Sequence, residues 1–559
     1  MPFVAWENRA AAKKAAVMKA IPSEWHVPPD QIPLEDDNSA AIDLPAQYLS
    51  ADETAITETP PMDILAHIHA GIWSCEDVVR AYCHRAALCH QFTNCLTEVL
   101  FEAAVNGARE LDQYRRETGG LKGPLHGLPV SFMDRFRVAG TETAAGFISW
   151  LGPKETDMTE SLIVRHMRAL GAIPFCKTNM PQSMMLAETV NNIHGHTSSP
   201  YSPLLSSGGA AGGEGALLAM KGSPLGWATE FAGSARIPAA FNNLFSLKVS
   251  SGRLPTLGVA SSETSLPSRN STIAMMAWDF NLLQYVAKLS LGSTAFEEDP
   301  TWIDMPWREA KVREVTQRRP TFAVLVCDGH IQPQPPVRRA LVSTVQSLRR
   351  ANYQVIEWKP PSHAAPVETY FKIIGADGAQ ATRQHIKASG EPPVPLLRDW
   401  YFHQPTEPLT LSEYLALLKS LESYQTEYQR YWKSTGQSTS SRLPVDGVIM
   451  PVCADAACCK NKMTYYGYSA IVNVLDFTAV SFPAGFIDSR LDPKPSVFVP
   501  LSREDESVND SCMSPSVPDD NFAFHGAPVG LQLMARRTEE EKALKLVEII
   551  LQTQAQSPG

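Results

Sequence analysis

The stretch that most constrains this chain is a run of small residues, Ser207-Gly208-Gly209-Ala210-Ala211-Gly212-Gly213-Glu214-Gly215. Glycine has no Cβ, so such a run suits places where main chains pack closely or where backbone N–H groups must reach a ligand. A helix expected from Glu214 to Met220 would begin just after it, offering the unpaired N–H groups of its first turn to an anion or an oxyanion. Phosphate is the weaker candidate, because the run lacks the Gly-Lys-Ser/Thr ending of a P-loop and the spacing of a dinucleotide fingerprint. Close backbone packing is the competing explanation. Downstream, Glu230-Phe231-Ala232-Gly233-Ser234-Ala235-Arg236-Ile237-Pro238 carries a serine outside the Gly-x-Ser-x-Gly frame of a nucleophile elbow.

Composition narrows the partners. The 559 residues are 44% hydrophobic and 19% charged, enough for a large buried core. A net charge of −10 argues against a broad phosphate-binding surface, so a small molecule is expected and nucleic acid is not. The first residues mix Lys13, Lys14 and Lys19 with alanines and lack the apolar core of a secretion signal. No apolar run approaches the roughly 20 residues of a membrane span. Ten cysteines without such a signal fit free thiols, and a cytoplasmic location is expected. Cys83-His84 and Cys89-His90 lie in a helical pattern from Glu76 to Leu100 and lack a second pair at finger spacing, so no metal is expected. Adjacent Cys458 and Cys459 read as a loop thiol pair.

The chain divides into a helical arm, 1–60, and one large domain, 61–559. The arm has a helix from Asn8 to Lys19 and then Pro28, Pro29, Pro33, Glu35, Asp36 and Asp37. From Met62 to Tyr114 the apolar spacing is helical, predicting surface helices over the core. Strands are expected at Leu128–Phe132, Ala172–Cys176, Thr321–Val326, Gln354–Trp358, Gly447–Met450 and Val529–Met534. Helices are expected at Ser161–Leu170, Pro336–Arg350 and Glu539–Leu551. This rhythm predicts an α/β fold whose central sheet is mixed but mainly parallel, with helices on both faces. A segment rich in Pro, Ser and acids, 490–521, reads as a surface excursion.

Three segments together resemble the amidase signature family, in particular its fungal acetamidase-like members. They are Gly123-Pro124-Leu125-His126-Gly127-Leu128-Pro129-Val130-Ser131-Phe132-Met133-Asp134, the glycine run, and the segment around Ser234. Glu188-Thr189-Val190-Asn191-Asn192, Ser251-Gly252-Arg253-Leu254-Pro255 and Tyr465-Tyr466-Gly467-Tyr468 extend the likeness over nearly the whole chain. The resemblance implies an amidase signature fold and a cofactor-free acyl pocket for a small amide, ester or acyl compound, with a homodimer left open. It also implies a serine nucleophile assisted by a serine in a cis peptide and by a lysine. Ser234 matches the nucleophile, but Met133 occupies the lysine position, Ala210 the bridging serine and Ala211 the second serine of the pair. The implied oxyanion hole is the backbone of Phe231, Ala232, Gly233 and Ser234. Ala232 and Glu230 stand there for a usual glycine and aspartate. Arg236, Glu188, Asn191, Asn192 and Asp134 match supporting positions, and Lys177 a structural one.

Met133 has no ionisable group and Ala210 no hydroxyl, so both steps of the implied proton relay are missing. General acid–base assistance is worth about 10²–10⁴ in rate, so efficient hydrolysis by the family's triad is not expected. His194 and His196 are candidate substitute bases, with hydrogen-bonding residues as the competing reading. Three functions follow: an amidase-like protein repurposed for other acyl or amide chemistry, a non-catalytic binding pseudoamidase, and an active hydrolase with an unrecognised base. The aromatic segment Tyr465–Phe477 is expected either to line the pocket or to pack in the core.

Overall fold

Eleven strands of four to nine residues, most of them buried, assemble into one sheet. A computed structural model describes residues 5–34, 38–262, 271–402, 407–493, 497–511 and 524–556. In chain order the strands are β1 (Leu96–Val99), β2 (Pro129–Met133), β3 (Ile173–Thr178), β4 (Leu225–Glu230), β5 (Phe245–Lys248), β6 (Thr272–Ala277), β7 (Thr321–Val324), β8 (Gln354–Glu357), β9 (Gly447–Pro451), β10 (Thr478–Phe486) and β11 (Pro528–Ala535). Their order across the sheet is β1-β3-β2-β4-β6-β5-β10-β11-β9-β7-β8. β3, β2 and β4 pair in parallel, as do β9, β7 and β8. Every pairing from β4 across to β9 is antiparallel, as is β1 with β3. The mixed sheet matches expectation, but parallel pairs dominate only its two wings. The expected excess of parallel pairs came from the strand–helix–strand rhythm, which occurs only there. The central strands β4, β5, β6 and β10 show no such rhythm and escaped detection, because β4, β6 and most of β10 are buried on both faces and lose the alternation that marks a half-exposed strand.

Helices cover both faces. On β11, a Cβ on Gly530 would meet Ala240 of the helix Arg236–Phe241, and Gln532 bonds Arg236. The next residue, Leu533, lies with Leu546 of the helix Glu540–Ala555 around Gly447 of β9. Alternate side chains on a strand point to opposite faces, so these helices lie on opposite sides.

The helix Cys75–Thr93 departs from the surface position expected for it. Ala81, Tyr82, Cys83, Ala86, Ala87, Leu88 and Cys89 are all buried, in a second core that also holds Ile21, Val27, Ala41 and Ile56 from the first sixty residues. Chain on both sides replaces solvent, which a helical period alone cannot reveal. That helix stops at Asn94, in the left-handed conformation with φ 58°, and the chain turns into β1 rather than continuing to Leu100. Of the segments expected around 35–37 and 490–521, residues 35–37, 494–496 and 512–521 lie outside the described residues. Among the described residues the cysteines are free and no His, Cys, Asp or Glu group could hold a metal ion.

Behind the glycine run, Glu214 of the helix Gly212–Ala219 accepts hydrogen bonds from Ser131 Oγ of β2 (2.7 Å) and Thr178 Oγ1 of β3 (3.0 Å). Burial pushes its carboxyl up to about 8 despite these donors. The unfolded carboxyl titrates near 4.5, so between the two values the folded state holds the extra proton and stability falls as pH rises. Glu214→Gln is expected to remove this slope. In urea unfolding, the wild type should lose about 3 kcal/mol more than the variant between about pH 5 and pH 8. Equal losses would show that Glu214 folds as a carboxylate.

Candidate active site

The glycine run is built for contact. A Cβ on Gly209 would collide with the backbone at Glu188, one on Gly212 with Thr189, and one on Gly213 with the backbone of Asn179. The N–H groups of Ala211, Gly212 and Gly213 are taken by Ser234 O (2.9 Å), Thr189 Oγ1 (2.9 Å) and Asn179 O (3.2 Å). The helix start therefore does not face a ligand with these groups, which corrects the expectation of an N–H cradle there. The Gly209–Ala210 peptide is cis.

That Ala211 to Ser234 bond joins the glycine run to the loop after β4. The third segment arrives through β2. Met133 is buried at its end, and Thr229 of β4 gives its hydroxyl to the Met133 sulfur at 3.9 Å. Thr229 in turn accepts from Arg135 Nη1 at 2.9 Å. Met133, Ala210 and Ser234 thus belong to adjoining segments, and the lysine position is filled by a thioether. Among the described residues, no side chain is hydrogen-bonded to the Ser234 hydroxyl.

The loop 231–235 is held at its ends by one buried ion pair. Glu230 Oε1 accepts Arg236 Nε at 2.6 Å, and its Oε2 accepts the backbone N–H of Ala235 and of Arg236, each at 3.2 Å. Arg236 also reaches Gln532 Oε1 (2.5 Å), Ser469 O (2.9 Å) and Asn473 Oδ1 (2.8 Å). Glutamate in place of a usual aspartate still spans the loop. Inside it, Gly233 has φ 119° and a Cβ there would collide with Ser469, so glycine is required on two counts. Among the described residues, the backbone N–H groups of Ala232, Gly233 and Ser234 donate to no protein acceptor. Phe231 and Arg135 line an adjoining cavity of about 60 Å³ together with Ser183, Met184, Met185 and Tyr370.

The supporting residues form the frame. Asp134 pairs with buried Lys177 at 2.9 Å, and Lys177 also bonds Glu142 O and Thr143 Oγ1. Glu188 accepts the backbone N–H groups of Asn461, Lys462 and Met463, each at 2.8 Å, while burial pushes its carboxyl up to about 7. Asn191 bonds Asn179 Oδ1 and Met180 O, and Asn192 bonds Glu391 Oε2 and Pro392 O. His194 is buried beside His90, Lys13 and Lys14, which holds its imidazole well below the usual histidine range. His196 meets Asn461 Nδ2 at 3.3 Å. Lys248, held down to about 8 by burial, gives its ammonium to Phe477 O (2.6 Å) and Val249 O (3.2 Å). None of these side chains touches Ser234 through a hydrogen bond. In the aromatic segment, Tyr465 and Tyr468 bond Asp328 Oδ2 and Ile331 O, so they pack as core, and Tyr466 bonds Met185 O beside the cavity wall.

Sequence reading missed Thr229, Arg135, Tyr370 and Ser469. Thr229, Arg135 and Ser469 each adjoin a quoted motif, whereas Tyr370 carries no local signal. Glu230→Gln would leave the Arg236 cation buried without its counter-charge, an effect of about 3–5 kcal/mol. Urea denaturation should register it. A loss below about 1 kcal/mol would mean that other bonds hold the loop.

The amidase family profile matches residues 77–544. An acetamidase from Aspergillus oryzae is 37% identical over 98% of this chain and 99% of its own length. An acetamidase from Emericella nidulans is 35% identical over 97% of each chain. Among solved structures, a fatty acid amide hydrolase superposes with a TM-score of 0.89 at 28% identity, covering 98% of this chain and 95% of its own. With the sheet, the cis peptide and the serine loop in place, these likenesses establish that the chain belongs to the amidase signature family.

Proposed function

We propose that this protein is an amidase scaffold of small-molecule metabolism, repurposed for acyl or amide chemistry other than efficient triad hydrolysis. Ser234 is its nucleophile position, and the backbone of Phe231, Ala232, Gly233 and Ser234 is its oxyanion hole. The observation that carries this reading is the set of unpaired N–H groups of Ala232, Gly233 and Ser234 in a loop locked by Glu230 and Arg236. Main-chain donors converging near a serine stabilise charge that develops on an acyl oxygen, whatever happens to nearby side chains. Glu188, Asp134, Asn191, Asn192 and Arg236 support the site. Residues 61–559 carry it, with residues 1–60 as an N-terminal arm.

The lost relay selects the substrate. Met133 and Ala210 can take no proton from Ser234, so the hydroxyl is a weak nucleophile. In the proposed step the Oγ–C bond forms as the bond from the acyl carbon to its leaving group breaks. The hydroxyl proton passes to that leaving group, directly or through water. Weakly basic leaving groups, as in activated esters, suit this path, whereas an ordinary amide nitrogen needs the missing acid. The free thiols support a cytoplasmic location, and no helix of the described residues is long and apolar enough to cross a membrane. A second reading, a binding protein that has abandoned catalysis, is favoured by one observation: the thioether of Met133 is packed where the implied base would stand.

Intact-mass analysis after incubation with a fluorophosphonate separates the two. Labelling that Ser234→Ala abolishes is expected, and folded wild type that stays unlabelled would favour a binding role or chemistry that bypasses the serine. Introducing Met133→Lys with Ala210→Ser should raise hydrolysis of a simple amide by about 10²-fold or more. No gain in a folded double variant would mean that the scaffold has lost the family's geometry.

A further inference from the structure

A hole made of main-chain donors has to be aimed, and the aim is set from outside the signature segments. In a trans peptide the C=O of one residue and the N–H of the next point in opposite directions, so fixing the carbonyl fixes the amide. Phe231 O accepts the hydroxyl of Tyr370 at 2.9 Å, and Ala232 O accepts the hydroxyl of Ser469 at 2.9 Å. These successive carbonyls belong to the peptides that carry the Ala232 and Gly233 N–H groups. The tethers come from different elements, Tyr370 from the helix Ala364–Ile374 and Ser469 from the helix Gly467–Val474. Both are buried. Ser469 also accounts for the absence of a side chain at Gly233, since it fills the space a Cβ would need. Its single proton is shared between Ala232 O and Tyr466 O, the latter at 3.0 Å.

We propose that Tyr370 and Ser469 are positioning residues that turn the Phe231 and Ala232 carbonyls away from the site and thereby aim the Ala232 and Gly233 N–H groups at one acyl oxygen. This rests on the oxyanion-hole reading above, but not on Ser234 being reactive. Loss of either hydroxyl frees a peptide plane to rotate and spreads the direction of one donor. Ground-state packing of the acyl group is untouched by such a rotation.

The test uses full-length protein labelled with ¹⁵N at alanine and glycine, and acetate as the probe of an acyl oxygen. Titrated acetate should shift the Ala232 and Gly233 amide protons in wild type and equally in Ser234→Ala. Tyr370→Phe and Ser469→Ala should each weaken that response about tenfold or more while the remaining amides and the thermal midpoint stay in place. Where fluorophosphonate labels Ser234, the same variants should lower the labelling rate. Acetate that leaves both amides unmoved in folded wild type, or that moves them equally in Tyr370→Phe, overturns the proposal. Absence of fluorophosphonate labelling with a normal acetate response would instead overturn the catalytic reading and leave the aiming intact.

Discussion

Everything around Ser234 hangs on the buried pair of Glu230 and Arg236. One carboxylate closes the loop 231–235 by taking both a guanidinium and two backbone N–H groups, and the guanidinium then reaches Gln532 on β11 and Asn473 beyond it. A buried ion pair is a poor source of net stability, because desolvating two charges is costly. Its role here is geometric. It fixes the short loop to the middle of the sheet, and among the described residues the N–H groups of Ala232, Gly233 and Ser234 inside the loop bond no protein acceptor.

The site separates two kinds of chemistry that are usually inherited together. Charge stabilisation resides in the main chain, so exchanging a usual aspartate for Glu230 and a usual glycine for Ala232 leaves its donors in place. On the proposed reading proton transfer resides in side chains, and neither Met133 nor Ala210 has a group that can supply it. The sulfur of Met133 accepts only a weak hydrogen bond from Thr229, which is already engaged by Arg135. On that reading the scaffold holds an acyl group and polarises it without ionising its own serine. Substrate reactivity then has to supply what the protein no longer does.

The parts of this arrangement that could be read in the sequence are those written locally. The wings of the sheet were legible because strands and amphipathic helices alternate there, as in β2, the helix Leu162–Ala169 and β3. The antiparallel centre was not, since β4 and β6 are buried on both faces and present no period to read. The helix Cys75–Thr93 was recognised as a helix but misplaced, because its periodicity does not say that a second layer of chain covers it. The segments that carry Met133, Ala210 and Ser234 were legible through their motifs, and the structure brings those segments together. Tyr370 and Ser469 were not, because their role is a hydrogen bond to a carbonyl more than a hundred residues away in sequence.

By itself, then, the sequence determined the family likeness and that neither Met133 nor Ala210 can ionise, since residue identity settles that chemistry. The tertiary structure decided which N–H groups stay unpaired. In the glycine run, expected to present its amides, Ala211, Gly212 and Gly213 are consumed by neighbours, whereas Ala232, Gly233 and Ser234 are left open. A backbone donor has the same chemistry at every position. Only the packing of distant segments against it decides whether it is spent on the fold or kept for a ligand.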